Sequence, residues 1–224
     1  MPEVTHLGPF ISFEGIEGCG KTTQIQLLSE RLDKRGVEHL LTREPGGTPI
    51  GDQIRQLVLN PAFKAMIPTC ELLLYAAARA QHIEEVIRPA LDQDRLVLCD
   101  RFTDATLAYQ GYGRGLSLDL IRRLHGLEIL SLQPVRTVLF DIDVRTSLGR
   151  ARSRDLSRPH SDAESRFEQE DLLFHEKVSS GYIDLSHREP ERYLVIDARG
   201  GIREVHDRLI GSLKDFFQQS GIEL

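Results

Sequence analysis

At 224 residues the chain has room for one large α/β domain with a buried core, and two full domains would be cramped. Its composition is ordinary for a globular enzyme, 40% hydrophobic and 28% charged with no tryptophan. The formal net charge of −6 argues against general binding to nucleic acid or to anionic membranes, both of which need a basic face. A small anionic ligand is not excluded, because a few placed arginines and lysines hold it whatever the global sum.

The cysteines, Cys19, Cys70 and Cys99, are sparse, odd in number and without CxxC spacing. That pattern fits a reducing compartment and neither a disulfide framework nor a zinc site. The opening Met-Pro-Glu-Val-Thr-His has no basic n-region or apolar h-region, so no secretory signal is visible. No apolar run approaches the ~20 residues of a membrane span. The expectation is a cytoplasmic protein with neither membrane nor nucleic acid as partner.

The patterned part of the chain opens with an apolar strand over 10–13. Gly15-Ile16-Glu17-Gly18-Cys19-Gly20-Lys21-Thr22 follows at once, the Gly-x4-Gly-Lys-Thr pattern of a phosphate-binding loop, and runs into a helix over 22–34 with Ile25, Leu28 and Leu32 on one side. Nucleotide chemistry needs this order. The glycines let successive backbone N–H groups turn inward onto phosphate oxygens, and the helix that starts at Lys21 aims its positive end at them. Lys21 reaches the β- and γ-phosphates, and the Thr22 hydroxyl is suited to ligate Mg²⁺. A glycine-rich turn with no ligand is the bland alternative, and the strand-loop-helix context weighs against it.

Further strands are predicted over 37–41, 96–99, 135–140 and 193–196, most of them nearly continuously apolar, as in a parallel sheet buried on both faces. Glu38 and His39 interrupt the second. Helical spacing recurs over 118–130 and over 202–217, where Leu209, Leu213 and Phe216 share a face. Alternating strand and helix predict right-handed βαβ units in a doubly wound, five-stranded parallel sheet flanked by helices, with ligands beyond the carboxyl ends of the strands. The whole of 1–224 reads as one domain.

One segment departs from the pattern. Residues 150–166 are dense in Arg, Ser and Asp, nearly devoid of apolar side chains and interrupted by Pro159, which disfavours helix at Arg158. We read it as a lid. Arg150, Arg154 and Arg158 recur every fourth residue and share a face if helix persists, whereas Arg152 sits off it. A solvated helix face would show the same arginines, but their position two turns after Asp141-Ile142-Asp143 favours a catalytic lid. A kinase must exclude water and surround the migrating phosphoryl group with cations. No Asn-Lys-x-Asp guanine-reading motif and no Leu-Ser-Gly-Gly-Gln signature occurs, so neither a GTPase nor an ABC-type ATPase is expected.

Taken in order, the phosphate loop, Thr42-Arg-Glu-Pro-Gly-Gly-Thr48 with Ile54-Arg55, Leu74-Tyr-Ala-Ala-Ala-Arg79, Asp100-Arg-Phe102 with Thr106 and Tyr109-Gln110-Gly111, Arg150-Ala-Arg-Ser-Arg154 and Arg166-Phe-Glu-Gln-Glu170 resemble thymidylate kinases of the bacterial type. The resemblance implies phosphorylation of thymidine monophosphate (dTMP) by ATP and Mg²⁺, in the service of dTTP synthesis, by a homodimer. Kinases for another nucleoside monophosphate, and a P-loop switch protein without a small acceptor, are the alternatives.

The resemblance also assigns roles. Glu17 addresses the acceptor's 3′-hydroxyl, Arg101 and Arg55 grip its phosphate, and Asp100 lies where it holds Mg²⁺ through water. Glu44 belongs near Mg²⁺ and that phosphate. Tyr75 and Arg79, four apart and so on one helix face, stack on the thymine ring and bond a base oxygen. Tyr75 stands where the family more often has Phe, so its hydroxyl needs a partner. Thr106 and Gln110 read the pyrimidine edge. Such enzymes carry a catalytic arginine either in the phosphate loop or in the lid. Positions 16–19 here hold none, so the cation is expected from the lid, with Arg152 and Arg154 favoured among its four arginines. ATP is expected to lay its adenine between the lid base and the loop 198–201.

Overall fold

A computed structural model describes residues 9–156 and 166–222, with the side chains of 154–156 left out. Five strands, β1 (Phe10–Glu14), β2 (His39–Arg43), β3 (Leu96–Asp100), β4 (Arg136–Asp141) and β5 (Tyr193–Asp197), form one sheet in the order β2-β3-β1-β4-β5, every pairing parallel. The helices are α1 (Lys21–Lys34), α2 (Pro49–Leu59), α3 (Pro68–His82), α4 (Arg88–Leu91), α5 (Thr103–Thr106), α6 (Leu118–His125), α7 (Val144–Leu156), α8 (Leu172–Arg188) and α9 (Ile202–Gln219). The chain winds as a π-helix over Ile83–Ile87 and again over Leu107–Gly113.

The period of two along a strand divides β1 between two cores. Ile11 and Phe13 face α1 and α9, where Ile25, Leu28, Leu32, Leu209 and Leu213 close a fully buried cluster. Phe10 faces the other layer, with Ile83, Ile87 and Leu91, and Leu139 of β4 meets Val178, Tyr182 and Leu185 of α8. Fully burying one such aliphatic side chain contributes about 1.5–3 kcal/mol, so both faces of the sheet are strongly pinned. β1 is central, and the order reverses beside it. The crevice at its carboxyl end is therefore where a doubly wound sheet binds ligands.

Two predicted boundaries move. The strand expected over 37–41 runs from His39 to Arg43. Gly36, at φ 70°, and Val37 instead end α1: Gly36 N–H donates to Asp33 O (3.0 Å) and Val37 N–H to Leu32 O (3.0 Å). This is a Schellman stop in which Val37 packs back on the core holding Leu32, so its apolar character serves a cap rather than a strand. The helix expected over 118–130 ends at His125. Leu127 is extended (φ −62°, ψ 138°), and a short 3₁₀ turn, Glu128–Leu130, follows Gly126. The proposed lid falls largely on 157–165, outside the described residues.

Candidate active site

The loop between β1 and α1 is shaped by its glycines. Gly18 takes φ 78°, and a Cβ there would meet Ser147 O of α7 at 2.0 Å. The Ser147 hydroxyl donates back to Glu17 O at 2.6 Å, so loop and helix are locked together. Gly20, left-handed at φ 91°, caps α1 without a side-chain bond, which leaves the first N–H groups of the helix free for an anion. Lys21 forms an ion pair with Asp100, and Thr22 Oγ1 donates to Asp100 Oδ2 at 3.1 Å. Burial pushes the Asp100 carboxyl up, but Lys21 and Arg101 outweigh it and hold the group below its usual range.

Arg101 follows β3 in a left-handed backbone conformation, φ 70°, which a side chain other than glycine adopts at a cost on the order of 1 kcal/mol. The twist turns its guanidinium onto Glu17 (Nη2–Oε1, 3.1 Å), Tyr182 (Nη1–Oη, 3.2 Å) and the ring face of Tyr109 (4.9 Å). The Tyr109 hydroxyl donates to Glu17 at 2.7 Å. Burial first, with Glu17 beside it, raises the Tyr109 hydroxyl well above its usual range and keeps it a donor. Below them Glu14, fully buried, accepts from Phe102 N–H (2.7 Å) and from the Tyr182 hydroxyl (2.7 Å). Burial, reinforced by Asp104, pushes its carboxyl up to about 7.

A cavity of about 880 Å³ opens from this loop. Its walls bring together, from far-apart parts of the chain, Ile16, Glu17, Gly18, Cys19, Gly20, Lys21, Thr22, Glu44, Arg55, Tyr75, Arg79, Asp100, Arg101, Thr106 and Gln110. Among the described side chains, the site candidates singled out in the sequence line it, with the exception of Gly15 and the lid arginines Arg150 and Arg152. Gly15 lies deeper, where a Cβ would press on Phe140 O (2.8 Å). Arg152 is exposed on α7, Arg150 donates to Ala198 O (3.2 Å), and the side chains of Arg154 and Arg158 are outside the described residues.

Arg55 donates to Pro45 O (3.1 Å) across the cis Glu44–Pro45 turn. Glu44 is buried and receives Arg79 Nε (2.7 Å) and His82 Nδ1 (3.1 Å), so it serves Arg79 directly. Arg79 also bonds Phe102 O and Thr106 Oγ1, each at 3.0 Å, and His125 Nε2 at 3.2 Å. Desolvation, with Arg79 beside it, lowers His125 to about 3, so its neutral ring accepts that bond. Tyr75 is half-buried against Phe167. Gln110 Nε2 donates to Glu71 Oε1 at 2.6 Å.

The sequence reading missed residues that the fold adds here. Helix α8, capped by Asp171 (Phe174 N–H to Oδ1, 2.8 Å), supplies Tyr182 and the fully buried His175, whose Nδ1 lies 3.7 Å from Glu17 Oε2. The spacing of Phe174, Val178, Tyr182 and Leu185 carried a legible signal for that helix. Tyr109 appeared only as part of a motif, and nothing local marks Glu14 or Glu71 as site residues.

Among the described residues no cluster of three or more His, Cys, Asp or Glu side chains is arranged to hold a metal alone. Thr22 and Asp100 nonetheless offer adjacent hard oxygen donors at the loop mouth, which suit a Mg²⁺ ion that keeps most of its water and binds mainly through phosphates. A parallel sheet with a glycine-rich loop after its central strand, a Lys-Thr-Asp cluster at the loop mouth and a wall of the same cavity carrying arginines and an aromatic ring define a P-loop kinase of the nucleoside-monophosphate type.

The family model described as thymidylate kinase matches residues 13–209. Thymidylate kinase from Geotalea daltonii is 56% identical over 198 residues, covering 88% of this chain and 92% of that one. The enzyme from Citrifermentans bemidjiense is 51% identical over 215 residues, 96% and 95% of the two chains. Among solved structures, the crystal structure of thymidylate kinase from Ehrlichia chaffeensis superposes with a TM-score of 0.71 at 35% identity, covering 92% of this chain and 98% of that one. The chain belongs to the thymidylate kinase family.

Proposed function

We propose that this enzyme phosphorylates dTMP to the diphosphate with ATP and Mg²⁺, supplying dTTP synthesis. The observation that carries the reading is the cavity itself, in which the phosphate loop with Lys21 and Thr22 faces Arg101, Arg55 and the Tyr75–Arg79–Gln110 wall. ATP lies with its phosphates on the loop 15–22, and dTMP lies opposite with its phosphate toward Arg101. In the free enzyme Glu17 neutralises Arg101. A dianionic phosphate competes for the same guanidinium, and two arginines suit its oxygens better than lysines would. Glu17, released, accepts from the 3′-hydroxyl, and Tyr75 stacks on thymine.

The acceptor phosphate is already ionised at neutral pH and requires no general base, so catalysis is positioning and charge neutralisation. Thr22 and Asp100 would hold Mg²⁺, which when bound neutralises phosphate charge. Lys21 takes the β,γ-phosphates, and cations from Arg152 and Arg154, at the start of a lid within the single domain, complete the neutralisation. Cytoplasmic location agrees with the free thiols Cys19, Cys70 and Cys99. A homodimer packed through helices agrees with the exposed Ile50, Leu57 and Leu73 on α2 and α3.

The test is ADP release with dTMP, dCMP, AMP and GMP in parallel. Rapid turnover with dTMP and little with the purine nucleotides is expected. Fast turnover of AMP or GMP with none of dTMP would overturn the substrate, and ATP hydrolysis indifferent to every monophosphate would point to a switch protein.

A further inference from the structure

Gln110 lines the cavity beside Tyr75 and Arg79, and its amide can show the base either a carbonyl or an NH₂ group. What lies behind it decides which. Glu71, in the first turn of α3 and fully buried, accepts from Gln110 Nε2 (2.6 Å) and Arg114 Nε (3.3 Å) on one oxygen, and pairs with Arg166 on the other. Arg166 is anchored in turn, its N–H on Leu59 O (2.9 Å) and its Nε on Val58 O (3.1 Å). A carboxylate held by two guanidiniums only accepts hydrogen bonds. Gln110 must therefore spend its NH₂ on Glu71, and among the described residues its Oε1 takes no hydrogen bond.

Arg79 supplies the complementary half. Nε and both hydrogens of Nη2 are committed to Glu44, Phe102 O and Thr106, and Nη1 reaches His125, which leaves one Nη1 hydrogen. Arg79 and Gln110 together thus offer one donor and one acceptor. Thymine matches them with O4 and N3–H. Cytosine reverses both groups, with an amino donor and a ring-nitrogen acceptor.

We propose that Glu71, which touches no substrate, is a specificity-determining positioning residue: it fixes the Gln110 amide with its carbonyl toward the base and so selects a pyrimidine bearing N3–H over cytosine. This rests on the reading above that the base lies against Tyr75 and Arg79. Glu71→Gln is nearly isosteric. In that variant Arg166 claims the oxygen of the introduced amide, whose NH₂ then faces Gln110, and Gln110 turns its own NH₂ into the cavity.

The experiment measures kcat/KM for dTMP and dCMP on one preparation each of wild type, Glu71→Gln and Glu71→Asp, so that any inactive fraction cancels in the ratio. The dTMP/dCMP ratio is expected to fall about tenfold or more in Glu71→Gln, as for a buried polar group facing the wrong partner, and to stay near wild type in Glu71→Asp, which remains an acceptor. A purely structural Glu71 would lower both rates and leave the ratio unmoved, and that result overturns the inference. If Glu71→Gln does not fold, Glu71→Ala decides: with the acceptor withdrawn the Gln110 amide is free to turn, so a clear fall in the ratio supports the assignment, and an unchanged ratio overturns it. Wild type that consumes ATP without making the diphosphate would remove the substrate reading and this inference together. Wild type that makes it while Glu71→Gln keeps the wild-type ratio would remove the inference alone.

Discussion

Arg101 concentrates the physics of the site in one residue. Its strained backbone, its buried surroundings and its bond to Glu17 fix the guanidinium at the cavity wall, where the proposed acceptor phosphate would compete with Glu17 for it. Glu14, beneath it, yields a prediction in pH. Its folded pKa, pushed from 4.5 up to about 7, lies above the unfolded value, so the stability it contributes is present below 4.5 and is lost as pH rises through 7. The loss amounts to roughly 3 kcal/mol. His125, lowered to about 3, acts in the opposite sense and costs stability as pH falls below 6.5. Comparing Glu14→Gln with wild type isolates the first effect. In urea unfolding from pH 4.5 to 8, the variant should gain on wild type as pH rises, and parallel curves would show that Glu14 is not perturbed. At this scale the chain was partly legible. Gly15 to Thr22 announced themselves by spacing, whereas Glu14 and Glu71 are single carboxylates whose meaning comes only from the groups that burial sets beside them.

Among the elements, the start of α7 is bound to the phosphate loop through Gly18, Ser147 and Ala151. Gly18→Ala would force its Cβ to within 2.0 Å of Ser147 O and 2.9 Å of Ala151 N, from a left-handed backbone. A cost of about 1–3 kcal/mol follows, seen as a lower Tm, together with a raised KM for ATP because loop and helix shift as a unit. An unchanged Tm and KM would mean that α7 yields freely. Helix α1 was readable from its stripe Ile25, Leu28, Leu32, its end at Lys34 included, but the strand after it was begun too early, because Val37 serves the cap that stops the helix and only looks like the start of a strand. Helix α8 had a readable stripe and a capping Asp171 and was passed over. The site loses Tyr182 and His175 from view as a result, since neither carries a motif.

For the whole molecule, the alternation of apolar runs with helical spacing already implied a parallel doubly wound sheet, and a crevice at the carboxyl end of β1 follows from the reversal in strand order. The meeting of residues from positions 17, 44, 55, 79, 101 and 110 in one cavity does not follow from local pattern, since it depends on how α2, α3 and the π-helical segment Leu107–Gly113 pack over the sheet. That packing brings the phosphate loop, Arg55, Arg101 and the Tyr75–Arg79–Gln110 wall to one cavity, as the proposed head-to-head placement of two nucleotides requires. A crystal structure with adenosine joined to thymidine through a polyphosphate chain tests this most directly. The account predicts polyphosphate on the loop 15–22, Arg101 moved from Glu17 onto the phosphate nearest thymidine, and thymine beside Tyr75 with N3–H on Gln110 Oε1. Thymidine bound elsewhere, with Arg101 still paired to Glu17, would contradict it.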